Sequence, residues 1–340
     1  MPLRPGRKSL IALLVLVALC IGWWASWHLL AGSVESGLDD WISAEQRAGR
    51  DWICGKRTIG GFPFRIEARC ESPTFSGRVA GARVQGSVGD IVAAAQAYSP
   101  NSILATIRPP LRIQTTPNIG AAILGWQQLE VSYQIENGAF HLGSVDIQAA
   151  DFHPQVDGLD HLDFTADDIN FQAAPSANEL NALGLGLKIK RLISPAIVSF
   201  LNQDSPLDLS AQASVSNVNV LTQDSSARPV EVWRRAGGRI QLASFSATIG
   251  DISLDVAGFV DLDPAHRPHG AFNVTADGLG PTFEKLGIPS ALLAIGGLFG
   301  GQPTGATGAR PNAIRFPIKL ENGRAAIGPV QLPVSLPPLY

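Results

Sequence analysis

Charge is scarce in this chain. Asp, Glu, Lys and Arg make up 16% of its 340 residues, and the formal net charge is −3. Without clustered Lys and Arg there is no electrostatic footprint for nucleic acid. Both signs are interspersed, so no half of the chain is a charged tail. The usual catalytic signatures are missing as well: there is no Gly-x-Ser-x-Gly and no His-Glu-x-x-His. The run Gly300–Gly308 lacks the Lys of a phosphate-cradling loop and reads as a flexible loop. Cysteine is limited to three residues with no Cys-x-x-Cys pair, which argues against a redox couple.

What is present is apolar and rich in turns. Hydrophobic residues make up 45%, with 35 Gly and 24 Pro. Many turns and few charged helices fit a mainly β chain. One long run stands apart. Leu10 to Leu30 carries no acidic or basic side chain over 21 residues, enough to cross a bilayer as a helix. Arg4, Arg7 and Lys8 precede it, and Glu35, Asp39 and Asp40 follow it. The positive-inside rule keeps the N-terminus cytoplasmic and sends the rest across. Trp23, Trp24 and Trp27 sit at the far end, where an aromatic belt meets the outer interface. The rival reading is a cleaved signal peptide, with Ala31-Gly32-Ser33 as the small-residue site. The length of the run and its bulky tryptophans favour an anchor. Leu19 before Cys20 is a poor lipoprotein site, so Cys20 is not read as lipidated. Either reading exports residues 33–340.

The least generic stretch is Asp51 to Pro73. It turns at Gly60-Gly61-Phe62-Pro63 and then alternates, with Phe64, Ile66, Ala68 and Cys70 on one side. Period two marks a half-buried strand. Cys54 and Cys70 bracket the turn, and disulfides persist in exported domains. The alternative is a pair of buried free thiols. A five-residue loop at Gly60–Phe64 would bring Cys54 directly opposite Cys70, within reach of a bridge. That register is the expectation.

Elsewhere Glu35 to Arg50 reads as a helix continuing from the anchor, with Gly49 as its cap. Asp90 to Tyr98 reads as a short helix with Asp90 as N-cap. Pro175 to Phe200 reads as a helical excursion, and Ala291 to Phe299 as a helical run. Strands are expected at Ile103–Thr115, Gln128–Gln148, Leu207–Val220, Gly238–Ile249, Ile252–Leu262, Gly270–Ala276, Ile314–Leu320 and Arg324–Leu332. One hairpin is echoed. Ile135-Glu-Asn137-Gly138 to Gly143 matches Leu320-Glu-Asn322-Gly323 to Gly328. Asn-Gly between alternating strands signals a two-residue turn with positive φ at both positions.

The Gly-Phe-Pro-Phe-Arg turn, Cys70 with Pro73 after it, the Glu-Asn-Gly hairpin before a Pro-rich end and the N-terminal anchor resemble one family. It is an alphaproteobacterial family of unknown function, DUF2125. A looser, architectural resemblance is to AsmA-like envelope proteins, whose sheets curl into apolar grooves for lipid tails. Neither resemblance implies a catalytic residue.

The fold expected is therefore mainly β: a curled antiparallel sheet or sandwich of hairpins with short helices, after one N-terminal transmembrane helix. Residues 1–32 would be the cytoplasmic tip and anchor, 33–50 a connecting helix, and 51–340 a periplasmic β-rich domain. Asp151, His153, Asp157, Asp160, His161 and Asp163 form the one His/Asp cluster. Imidazole and carboxylate could ligate a divalent metal, but a solvated polar loop is the plainer account. His266 and His269 flank Arg267 and Pro268 in a hairpin loop and read as solvated. No catalytic residue, metal or cofactor is expected.

The function expected is that of a non-enzymatic, inner-membrane-anchored periplasmic envelope protein. Its partners would be the membrane, lipid held in an apolar β groove, or another envelope protein, but not nucleic acid. Ile252 and Leu254, on an alternating strand, are the candidate groove-lining residues. A scaffold binding a partner along a sheet edge is the alternative, and a hydrolase with an unrecognised site ranks last.

Overall fold

The computed structural model describes residues 7–79, 82–116, 120–155, 162–177, 179–223, 229–280, 313–328 and 330–340. It opens on one continuous helix, α1 (Arg7–Arg47), of 41 residues, about 60 Å long at 1.5 Å per residue. The expected anchor and connecting helix are thus one element. Leu10, Leu13, Leu14, Leu16, Leu19 and Ile21 are all exposed. A helix of this length and composition is compatible with a single-pass anchor and equally with a signal sequence. It ends ahead of Gly49, whose φ is +75°.

Contacts divide the chain into two compact units. The first is Met1–Ala139 with Pro154–Val156; the second is Phe140–His153 with Asp157–Tyr340. The range 51–340 therefore holds parts of both.

The first unit contains β1 (Asp51–Ile53), β2 (Lys56–Gly60), β3 (Arg65–Glu71), β4 (Thr74–Val79), β5 (Ala82–Ser87), β6 (Ile91–Gln96), β7 (Ser99–Ile107), β8 (Leu111–Thr116), β9 (Gly120–Gly125) and β10 (Gln128–Glu136). These are five long strands, each broken once. The register continues through the breaks. Asp51 faces Ser76 and Lys56 faces Glu71, while Thr74 faces Ser87 and Cys70 faces Ile91. The breaks fall at Cys54–Gly55, Ser72–Pro73, Val88–Asp90, Arg108–Pro110 and Trp126, so they form one crease across all five strands.

Local chemistry explains the crease. Pro73 is fully buried there and cannot donate to a ladder. A Cβ on Gly89 would lie 2.5 Å from the Arg108 carbonyl, so only glycine fits. The Asp90 carboxylate accepts from the Ser72 amide at 3.2 Å and from Arg108 Nη1 at 3.3 Å. Buried Trp126 donates its indole N–H to the Ile107 carbonyl at 2.8 Å.

Two expectations are corrected in this unit. Asp90–Tyr98 is not a helix; it holds β6, paired on one side with β3 and on the other with β7. Helix propensity separates residues by only a few tenths of a kcal/mol, and two full ladders outweigh it. The hairpin register also differs. Arg57, not Cys54, faces Cys70, and Gly60 is the last paired residue, opposite Glu67. The turn is centred between Pro63 and Phe64 rather than on Phe62. Gly61, at φ +98°, lets the chain close tightly, since a Cβ there would lie 2.7 Å from the Arg65 carbonyl.

Cys54 and Cys70 are nevertheless bonded, with Cα atoms 5.4 Å apart. By the register Cys54 falls opposite Pro73, three residues from Cys70. A flat strand would separate those positions by about 10 Å at ~3.3 Å per residue. The chain is folded at the crease, and the disulfide fastens that fold.

Helix α1 lies along the first long strand of this unit, from the β2–β3 turn to β1. Trp27 and Ala31 pack with Ile66 and Ala97, and Arg57 bonds Asp39 at 2.7 Å. Further along, Trp41 meets Trp52, which meets Phe75.

The second unit is a meander. β11 (Ala139–Pro154), β12 (Phe164–Pro175), β13 (Leu183–Leu192), β14 (Leu207–Val215), β15 (Arg239–Ile249), β16 (Ile252–Leu262), β17 (Pro268–Asp277), β18 (Ile314–Glu321), β19 (Arg324–Ile327) and β20 (Val330–Ser335) each pair antiparallel with the next. Helix α2 (Pro195–Leu201) follows β13, and α3 (Asn219–Gln223) and α4 (Pro229–Arg235) follow β14. The expected helical excursion over Pro175–Phe200 is corrected, because β13 occupies its middle. Leu183, Leu185, Leu187 and Ile189 alternate, and Gly184 and Gly186 pair with Ala174 and Gln172. Among the described residues of that range only α2 is helical, started by Pro195 and stopped by Asn202 at φ +56°.

Both Asn-Gly dipeptides are turns with positive φ: 52° and 78° at Asn137-Gly138, 54° and 75° at Asn322-Gly323. Ala291–Phe299 and Gly300–Gly308 lie outside the described residues.

Candidate functional site

The most distinctive concavity is in the second unit, a cavity of about 820 Å³ between α2 and one face of β14–β20. Strand alternation builds its floor. Ile252, Leu254 and Val256 of β16 point inward, while Ser253 and Asp255 take the other face. Cross-strand registry extends the surface in rows. Val256 faces Val274, which faces Phe316. Phe272 faces Ile318, which faces Ile327. Ala247, opposite Leu254, leaves the floor low at that point. The wall is α2, through Ile197, Phe200 and Leu201. Every lining side chain among the described residues is apolar.

The residues singled out in the sequence are distributed as follows. Ile252 and Leu254 both line this cavity. Ile252 is 8% exposed and belongs to the packed floor. Cys54, Cys70 and Asn137-Gly138 belong to the first unit, and Asn322-Gly323 is a turn of the second that is not part of the described lining. Sequence reasoning did not single out Phe272, Val274, Phe316 and Ile318, although the alternation within Gly270–Ala276 and Ile314–Leu320 carries the same signal. The wall from α2 was hidden by reading it as part of a longer helix.

The polar clusters are weaker sites. His153 stands 3.4 Å from both Asp151 and Asp163, and all three side chains are well exposed. Asp157, Asp160 and His161 lie outside the described residues. Among the described residues no His/Cys/Asp/Glu group is arranged to hold a metal. His269 Nδ1 meets Asp261 at 2.7 Å, but Arg239 bonds the same carboxylate at 2.9 Å and covers Phe259. That carboxylate is already paired by a permanent cation, and the group fixes the β16–β17 hairpin.

Glu231 of α4 is a heavily bonded carboxylate. It accepts from Arg234 at 2.7 Å, Arg235 at 2.5 Å and the Tyr340 hydroxyl at 2.9 Å. The Arg234 guanidinium, then Tyr340 and Arg235, hold it far below the usual carboxylate range. Tyr340 also stacks on His266 at 4.5 Å. This cluster seats the C-terminal tail on the second unit.

A family model, DUF2125, described as an uncharacterized protein conserved in bacteria, matches residues 27–334. No curated protein and no solved structure matches the chain.

Proposed function

The chain belongs to that DUF2125 family, and we propose that it is a non-enzymatic envelope protein that holds lipid tails in the cavity floored by Ile252, Leu254 and Val256. The reading has α1 anchoring it in the inner membrane with residues 33–340 in the periplasm. The single observation that carries it is the apolar character of every described residue lining a space this large. Its volume lies in the range of ligand sites, about 300–1,000 Å³.

Magnitudes favour an apolar guest. The space is open to solvent on one side, so its apolar floor faces water when nothing lies in it. An acyl chain laid in it would take the described apolar floor out of water. Each methylene transferred from water would contribute about 0.8 kcal/mol. The charge asymmetry around the apolar run supports the orientation. The Cys54–Cys70 bond suits an oxidising compartment.

The test is organic extraction and mass spectrometry of the purified full chain. Acyl lipid bound in stoichiometric amount is expected. Absence of lipid, together with a crystal structure in which the protein's own side chains fill the space, would overturn the reading. A scaffold role along a sheet edge would then take its place.

A further inference from the structure

Two hairpin tips of the first unit lie side by side at the end where α1 arrives. One is the β2–β3 turn, the other the β6–β7 turn, and the Ala97 amide donates to the Phe64 carbonyl at 2.9 Å between them. Together they expose three aromatic rings: Phe62 at 50%, Phe64 at 69% and Tyr98 at 65%. Across Thr58–Phe64 and Ala93–Ser99 there is no charged residue. The nearest charge, Arg65, stands at the rim with its side chain exposed.

The tips are tied to a fixed level of the helix. Trp23 donates its indole N–H to the Pro63 carbonyl at 3.0 Å, and Trp27 donates to the Arg65 carbonyl at 2.9 Å. The Trp27 ring also meets Phe62 edge-on at 5.6 Å. The helix below that level is free and apolar, but it is short. From Leu10 to Trp23 the axis rises only about 20 Å at ~1.5 Å per residue. A bilayer's hydrocarbon core is about 30 Å thick. The missing ~10 Å matches the ~5–10 Å to which interfacial apolar groups sink into a leaflet.

We propose that the paired tips carrying Phe62, Phe64 and Tyr98 form a membrane-inserting edge, seated in the outer leaflet of the bilayer that α1 crosses. The proposal rests on the anchored reading of α1. The whole run Leu10–Leu30, about 30 Å at ~1.5 Å per residue, then spans the hydrocarbon, with its last turns beside the rings, and Arg65 is left at headgroup level. The protein is then fixed at a set height and orientation on the membrane, and is not merely tethered to it.

The test uses the full chain with Cys20→Ser, which leaves Cys54 and Cys70 bonded. Single cysteines at Val15, Phe64, Tyr98 and Gln46 carry an environment-sensitive fluorophore. The protein is reconstituted in vesicles of phosphatidylethanolamine and phosphatidylglycerol containing spin-labelled quencher lipids. Gln46 lies about 35 Å above Trp23 along the helix and serves as the water-exposed control.

The expected result is strong quenching at Val15, Phe64 and Tyr98, and none at Gln46. Quenching at Val15 without quenching at Phe64 and Tyr98 would overturn the inserting edge while leaving the anchor intact. No quenching at Val15 would remove the anchor, and the inserting edge with it.

Discussion

Cys54 is bonded to Cys70 although Arg57 is the residue that faces Cys70 across the ladder. The bond therefore crosses the crease and is not a rung between strands. It closes a loop with a sequence separation of 16, which should contribute about 3 kcal/mol through the unfolded chain. A Cys54→Ala, Cys70→Ala variant should lose that much in denaturant unfolding. Thiol titration of the denatured, unreduced full chain should find one free cysteine, Cys20. Three free thiols would show that the bridge does not form.

The two echoed turns should respond unequally to substitution. A Cβ on Gly138 would meet nothing within 4 Å, whereas one on Gly323 would lie 3.0 Å from the Leu336 carbonyl. Both glycines have positive φ, so either Gly→Ala change costs about 1 kcal/mol in backbone terms. Gly323→Ala should cost measurably more, and it should loosen the tail, since the Leu336 amide bonds the Gly323 carbonyl. Equal losses in urea unfolding would contradict this contact.

Acid should release the C-terminal tail. The folded pKa of Glu231 lies below its ordinary value of 4.5, first through Arg234. A depressed carboxylate contributes stability above the unfolded pKa and loses it as pH falls toward the folded one. Glu231→Gln should be less stable than the parent at pH 6, and the difference should shrink as pH drops below 4.5. Amide exchange at Leu339, which bonds the His266 carbonyl, should report the same window. A difference independent of pH would exclude the carboxylate as its source.

Two substitutions on the cavity floor separate filling from folding. Leu254→Asp puts a charge among apolar side chains and should abolish lipid binding. Ala247→Phe, opposite Leu254, adds bulk to empty space and should lower lipid content with the fold and melting temperature kept. If Ala247→Phe retains full lipid content, the ligand lies elsewhere.

Orientation is testable by fusion after Tyr340. An alkaline phosphatase fused there should be active, and a cytoplasmic fluorescent protein dark. The opposite pattern would reverse the charge-based assignment of α1.

Much of the fold was legible because turn chemistry and alternation agreed. The Asn-Gly pairs, and the apolar residues at every second position of Ile252–Leu262, needed no tertiary information. Asp90–Tyr98 misled because Ala-rich sequence suits a helix, and only the neighbours β3 and β7 decide for a strand. The first hairpin was misregistered because Gly60, Gly61 and Pro63 each permit a turn, and nothing local chooses among them. The cavity floor was half legible: period two shows which side chains share a face, but only α2 packing over it makes that face concave.

The crease is closed covalently at one margin, by Cys54 and Cys70. At the other margin, described at Trp126, an indole hydrogen bond to Ile107 spans it. A plate pinned covalently at one end of its fold line and by a single hydrogen bond at the other does not swing open like a book. It yields in torsion, with amplitude growing away from the pin. Slow backbone motion in the first unit should therefore be graded along the crease, least at Cys54 and greatest near Trp126, and reduction should flatten that gradient.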